Sequence, residues 1–177
     1  CGGGELFVRM FGDGGMRLFH RVFDVLGLVL VLFSAIPAHA DSLGLSEYAS
    51  APYGTVLFVR HALAPGNGDP AIFQIDDCST QRNLDDRGRD QARQLGRDLR
   101  ASNIRFARVY SSQWCRCLES ATIMDLGAVT ALPGLNSFYQ GIVPRGPTLA
   151  ALTDVLESLP DDGGLTLMVT HFVTISA

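Results

Sequence analysis

The sequence predicts an α/β protein, a three-layer sandwich whose mainly parallel sheet carries helices on both faces. Short β-branched and aromatic runs alternate with amphipathic helical stretches from residue 55 onward, the pattern of strand–helix crossovers rather than of hairpins. No repeat and no linker interrupts that alternation. A chain of 177 residues, 47% hydrophobic and 18% charged, also suits one globular domain.

Thr55–Val59 (TVLFV) reads as a buried strand bounded by Gly54, and it leads directly into Arg60-His61. Residues 64–78 carry Pro65, Gly66, Gly68 and Pro70 without periodicity, so a surface loop is expected. Asp85 is a good N-cap for a helix in which Ala92, Leu95, Gly96 and Leu99 recur at helical spacing, with Arg and Asp on the other face. Phe106–Tyr110 is the next strand, and after Ser111-Ser112 a second helix runs to about Met124. Val129–Leu132 is a third short strand. Leu149, Leu152, Leu156 and Leu159 mark another amphipathic helix, and Leu165–Val169 the last visible strand. The sequence stops at Ala177, a few residues into what reads as a further helix, so a terminal strand and helix are expected to be missing.

The 14 basic residues are all Arg, and 18 acidic residues leave a net charge of −4. No broad cationic surface is available to hold a polyanion, so nucleic acid is not an expected partner. Met16-Arg17, a basic flank ending at Arg21, the apolar run Val25 to Phe33 and the tail Ala38-His39-Ala40 have the three-part layout of a secretory signal. The apolar run is too short to span a bilayer, which needs roughly 20 residues. The expected organisation is an upstream non-native segment over residues 1–15, a signal peptide over 16–40 cleaved after Ala40, and a single domain over 41–177. The product would be periplasmic or secreted, with no stable membrane anchor.

Three cysteines lie beyond Ala40. Cys115 and Cys117 are too close within a helix to bridge well, so an exported protein is expected to pair Cys78 with one of them, three free thiols being the alternative.

Two histidines also lie beyond Ala40, His61 and His171, and each stands immediately past a strand. In a parallel sheet both positions fall on the carboxyl edge, where ligands bind. Two imidazoles converging there with Arg60 supply a nitrogen nucleophile and positive charge, the two requirements of attack on a phosphoryl group. Arg116, in the first turn of a helix that follows a strand, can reach the same edge. No Cys/His clustering or His-x-x-x-His spacing suggests a metal, and no cofactor is required.

These residues resemble the histidine phosphatase superfamily, which includes the cofactor-dependent phosphoglycerate mutases. The family's Arg-His-Gly motif is similar to Arg60-His61-Ala62, and its Asn six residues beyond the histidine to Asn67. Its Leu-Thr-x-x-Gly helix start resembles Leu84-Asp85-Asp86-Arg87-Gly88, its Tyr-Ser-Ser with a helical Arg resembles Tyr110-Ser111-Ser112 with Arg116, and its late Ser/Thr-His resembles Thr170-His171. The resemblance implies a phosphoglycerate mutase-like fold, a phosphohistidine formed on His61 and then hydrolysed, and a phosphate surrounded by Arg60, Arg116 and His171. Asn67 and Arg82 are candidate substrate contacts.

Two departures are mild: Ala62 replaces Gly, which the backbone tolerates unless φ is positive, and Asp85 replaces Thr as N-cap. The proton donor is the serious one. The mutase-like branch has a Glu after the third strand, where this chain has Leu135-Asn136-Ser137-Phe138-Tyr139, and the acid phosphatase branch has an Asp after the second histidine, where this chain has Phe172. Three accounts stay open: a donor among Asp69, Asp76 and Asp77, with Asp77 preferred beside Cys78; a donor beyond Ala177; or a leaving group needing little protonation. The expected function is an exported phosphatase acting on a small phosphomonoester or related phosphate. The alternative is a non-catalytic phosphate-binding module that retains the pocket. Resemblance to exported bacterial members that act on envelope phosphates makes lipopolysaccharide core heptose phosphate a candidate substrate class.

Overall fold

A computed structural model describes residues 48, 50, 55–161 and 164–177, so the expected upstream segment 1–15 and signal peptide 16–40 lie outside the described residues. Among the described residues, β1 (Val56–Arg60), β2 (Phe106–Ser111), β3 (Val129–Ala131) and β4 (Leu165–Thr170) form one sheet in the order β1-β4-β2-β3. Every pairing is parallel, so all four carboxyl ends share one edge.

Strand alternation splits the core into two layers. Leu57, Val59, Val109, Leu167 and Val169 point to one face, where they pack with Ala92 and Leu99 of α1 (Asp86–Ala101) and with Cys117, Ala121 and Met124 of α2 (Cys115–Met124). Val56, Phe58, Tyr110 and Met168 point to the other, against Leu152, Val155 and Leu156 of α3 (Arg145–Ser158). This is the expected three-layer α/β sandwich. A last short helix, α4 (Phe172–Ile175), begins immediately after His171.

Local chemistry sets the helix ends. The Asp85 carboxylate accepts the Gly88 N–H at 2.7 Å, while Asp86 in the first turn and Arg100 in the last complement the helix dipole of α1. Asp125, in the left-handed region at φ 53°, ends α2. Gly88 lies so close to the chain behind His61 that a Cβ there would stand 2.0 Å from the Leu63 carbonyl oxygen. Strand and helix boundaries agree with the sequence reading to within a few residues; Thr55 precedes β1 and Leu132 follows β3.

The stretch 64–82 is irregular and largely exposed, as its composition implies, but it is firmly tied down. Arg82 Nε donates to the Gly68 carbonyl at 2.7 Å, and Arg82 Nη1 donates to the Ala64 carbonyl. Phe73 stacks on Trp114 with ring centroids 4.9 Å apart. Cys78 is bonded to Cys115, with a Cα–Cα distance of 5.7 Å, which resolves the pairing and leaves Cys117 free and buried.

Candidate active site

Parallel register brings the two histidines together. Arg60 pairs with Thr170 at the ends of β1 and β4, and the His61 N–H donates to the Thr170 carbonyl at 2.9 Å. The next residue on each strand is therefore His61 and His171, whose rings lie edge to face with centroids 5.4 Å apart. Both are buried.

His61 Nδ1 lies 2.7 Å from the Ala62 carbonyl oxygen. A carbonyl can only accept, so Nδ1 carries the proton and Nε2 keeps its lone pair. Burial pushes the His61 pKa down to about 3, helped by the charges of Arg116, Arg60 and Arg82 and opposed by the Ala62 hydrogen bond. His61 is thus neutral over the physiological range. Ala62 is not among the residues with positive φ, so the Gly-to-Ala departure costs no backbone strain. Its N–H donates to Ser120 Oγ at 2.9 Å, and that hydroxyl donates to the Arg116 carbonyl at 2.6 Å, fastening the chain beyond His61 to α2.

His171 stands between two partners. Nδ1 faces Arg116 Nη2 at 3.5 Å, and because a guanidinium can only donate, Nδ1 is the acceptor. Nε2 then carries the proton and meets Ser112 Oγ at 3.0 Å, whose hydroxyl donates to Asn136 Oδ1 at 3.1 Å. Burial pushes the His171 pKa down to about 2, with Arg116 and His61 adding to the effect. The Cys117 thiol lies 3.4 Å from the same Nε2, and burial pushes its pKa up to about 12, so it too is neutral.

Arg116, the second residue of α2, is buried along with its principal partner, each side chain being 3% exposed. That partner is Asp69. Arg116 Nη1 reaches Asp69 Oδ1 at 2.7 Å and Nη2 reaches Oδ2 at 3.1 Å, a two-pronged contact across 47 residues of sequence. The Arg82 N–H and the Trp114 Nε1–H also donate to this carboxylate, at 3.1 and 3.0 Å. Arg116 Nε is buried with no hydrogen-bond partner in the protein.

The remaining expected residues are spread more widely. Arg60 is exposed at the end of β1 and adds its charge to the field on both histidines. Arg82 does the same, although its guanidinium is committed to the carbonyls of Ala64 and Gly68. Asn67 is exposed, and its amide donates to the Tyr139 hydroxyl at 3.3 Å.

The acids of the 64–82 stretch differ from the sequence reading. Asp77 is exposed and caps the short 3-10 turn Cys78–Thr80, its Oδ1 accepting from both the amide and the hydroxyl of Ser79 at 2.9 and 2.7 Å. The Ser79 hydroxyl and amide hold its carboxyl below the ordinary value, whereas a general acid needs the reverse. The structure gives the preference for Asp77 as proton donor no support. At Asp69, burial alone would push the carboxyl up, but Arg116, the Arg82 amide and Trp114 hold it below its ordinary value.

Residues with no assigned part in the sequence reading complete the site. Asn136 occupies the stretch that lacks an acid, and there it steadies Ser112 and through it His171. Trp114 lies edge-on to His171 with centroids 5.4 Å apart. Gln81 donates to the carbonyls of Gln74 and Ile75 and accepts the Cys115 N–H at 2.9 Å, joining the loop to the start of α2. The only sequence signal for them was adjacency to motif residues. Among the described residues, no group of His, Cys, Asp and Glu is placed to hold a metal ion.

Residues 56–143 match the family model of the histidine phosphatase superfamily (branch 1). Among solved structures, the chain is similar to the protein histidine phosphatase SixA complexed with tungstate (21% identity, 68% of this chain and 70% of that one, TM-score 0.49). It is also similar to a candidate phosphohistidine phosphatase SixA from Nakamurella multipartitia (21% identity, 68% and 60%, TM-score 0.51) and to another from Agrobacterium tumefaciens (17%, 68% and 70%, TM-score 0.48). No curated protein matches. The family match begins at β1, whose end delivers His61, and extends past Arg116 and β3 on a parallel sheet of the expected kind, and by it residues 56–143 belong to the histidine phosphatase superfamily.

Proposed function

We propose that the protein is a phosphatase in which His61 Nε2 takes the phosphoryl group. The observation that carries this reading is the fixed His61 tautomer: with Nδ1–H donated to the Ala62 carbonyl, a neutral Nε2 lone pair remains at the carboxyl edge of the sheet. Three guanidinium charges, those of Arg60, Arg82 and Arg116, act on it. Asp69 offsets one of them, and the balance suits a phosphate dianion.

In the first step the Nε2–P bond forms as the bond from phosphorus to the leaving group breaks. Water then attacks phosphorus, the N–P bond breaks, inorganic phosphate departs and neutral His61 is restored. Arg116 meets the phosphate through Nε, the one guanidinium nitrogen that neither Asp69 nor His171 occupies.

Neither Asp69 nor Asp77 is poised to protonate a leaving group, which favours substrates whose leaving group departs readily: an aryl or acyl phosphate, a phosphoanhydride or a nitrogen-linked phosphate. The Nakamurella multipartitia neighbour, described as a candidate phosphohistidine phosphatase, makes the nitrogen-linked phosphate the leading candidate. The Cys78–Cys115 bond, together with the signal-like residues 16–40, supports an oxidising, periplasmic or extracellular setting. Steady-state assay with an aryl phosphate and rapid quench without acid test the reading. Turnover and a phosphohistidine, both lost in His61→Ala, are expected. Phosphate binding without turnover would instead identify a non-catalytic phosphate-binding module.

A further inference from the structure

We propose that Asp69 is a positioning residue for Arg116: its carboxylate holds the Nη1–Nη2 end of the guanidinium so that the remaining Nε–H, buried without a partner, is presented to the phosphate beside His171. The inference rests on the phosphatase reading above and assigns a role to a carboxylate that touches neither histidine in the hydrogen bonds of the site.

The geometry is that of a clamp. A guanidinium is a planar fork with five N–H donors, and a carboxylate can grip only one edge of it at a time. Asp69 grips the end formed by Nη1 and Nη2, at 2.7 and 3.1 Å, and the Arg82 carbonyl takes a further contact with Nη1 at 3.3 Å. Nη2 also borders His171 Nδ1, and Nε is left buried without a partner. The clamp is itself clamped. Oδ1 accepts a second bond from the Arg82 amide and Oδ2 a second from Trp114 Nε1, so rotation of the carboxylate would break bonds to three residues at once.

A buried, four-coordinated carboxylate has no open position for carrying a proton to substrate. Its effect must pass through Arg116. Asparagine at position 69 would set an NH2 group against two of these four donors, and glutamate, one methylene longer, could not keep both prongs in place. Neither change touches Nε2 of His61.

The test uses the full chain and two probes. Inorganic phosphate mimics the ground state and product, and orthovanadate mimics the five-coordinate transition state. Trp114 is the single tryptophan of the chain, so its fluorescence reports binding of either without requiring turnover. Asp69→Asn and Asp69→Glu are each expected to lower kcat on an aryl phosphate by about 10²–10³-fold and to weaken vanadate by a similar factor, with phosphate affinity changed less than about threefold. In an Arg116→Lys background, which keeps the charge but not the fork, Asp69→Asn is expected to add no further loss.

Activity of Asp69→Asn within about threefold of wild type, or losses that multiply with Arg116→Lys, would overturn the proposal. So would parallel loss of phosphate and vanadate, the mark of a merely structural role, or recovery in Asp69→Glu, which would show that charge alone matters. Because Asp69→Glu keeps the carboxylate, it decides the question even if Asp69→Asn does not fold. A wild type that binds vanadate but turns over nothing would defeat the phosphatase reading while the vanadate comparison still judges the clamp. A wild type that binds no vanadate would remove the clamp as well.

Discussion

His61 and His171 share an edge and a burial state but differ in what their nitrogens can do. His61 offers a lone pair on Nε2, while both nitrogens of His171 are engaged, one facing Arg116 and the other Ser112. His61→Ala is therefore expected to abolish the phosphoenzyme. His171→Ala is expected to leave it forming on His61, at a rate reduced by about 10²–10³, as for loss of one stabilising contact. Labelled phosphate recovered on His171 in the wild type would reverse the roles. Asp77→Asn bears on the proton donor: because its carboxylate serves Ser79, the variant should show the same steep dependence of rate on leaving-group acidity as wild type across a series of aryl and alkyl phosphates. A steeper slope in the variant would restore Asp77 to the mechanism. The sequence exposed His61, His171 and Arg116 because their position relative to strands and helices is itself the signal. It could not orient Asp69 or Asp77, since a loop without period gives no direction to its side chains, and the Asp69–Arg116 contact spans 47 residues.

The stretch 64–82 and α2 act as one element. The disulfide, the Gln81 amide, the Asp69–Arg116 fork and the Phe73–Trp114 stack all cross the same seam. Two residues on a helix point about 200° apart, which is why Cys115 meets the loop while Cys117 turns to Thr170 and His171 at the sheet. Spacing left both partners open; helix phase relative to the sheet decides between them. Reduction, or Cys78→Ser, is expected to lower stability by about 2–4 kcal/mol in urea unfolding and to reduce affinity for inorganic phosphate as the loop loosens. Three free thiols by mass spectrometry of the unreduced protein would remove the link. Gly88→Ala probes the neighbouring seam, where a Cβ meets the Leu63 carbonyl oxygen at 2.0 Å. Moving backbone rather than a flexible side chain should cost roughly 1–3 kcal/mol, and because Leu63 lies two residues past His61, kcat should fall as well. A variant with unchanged unfolding and activity would show that α1 can shift freely there.

At the scale of the whole molecule, two histidines are buried as neutral bases among like-charged neighbours, and this ties stability to pH. Unfolded, each would take up a proton near its ordinary value of 6.5; folded, His61 does so only at about 3 and His171 at about 2. Between these limits the unfolded chain binds up to two more protons than the folded one, so the contribution of the two histidines to stability is flat above 6.5 and falls as the pH drops below it. The limiting slope is about 3 kcal/mol per pH unit for two protons. Asp69 acts in the same direction at lower pH, because its folded carboxyl resists protonation that the unfolded one accepts. A domain of ordinary stability, about 5–15 kcal/mol, should therefore begin to unfold within a few pH units below 6.5. Activity should behave differently: since His61 stays unprotonated until the protein itself gives way, kcat/KM should show no acid limb near 6.5 arising from the nucleophile. His171→Asn separates the terms. It removes one titrating proton, so although it loses hydrogen bonds at pH 8, its urea-unfolding free energy should decline with acid about half as steeply below 6.5 as that of wild type. Equal slopes for the two proteins would mean that His171 titrates in the folded state as it does in the unfolded one, and that its burial beside Arg116 does not hold it neutral.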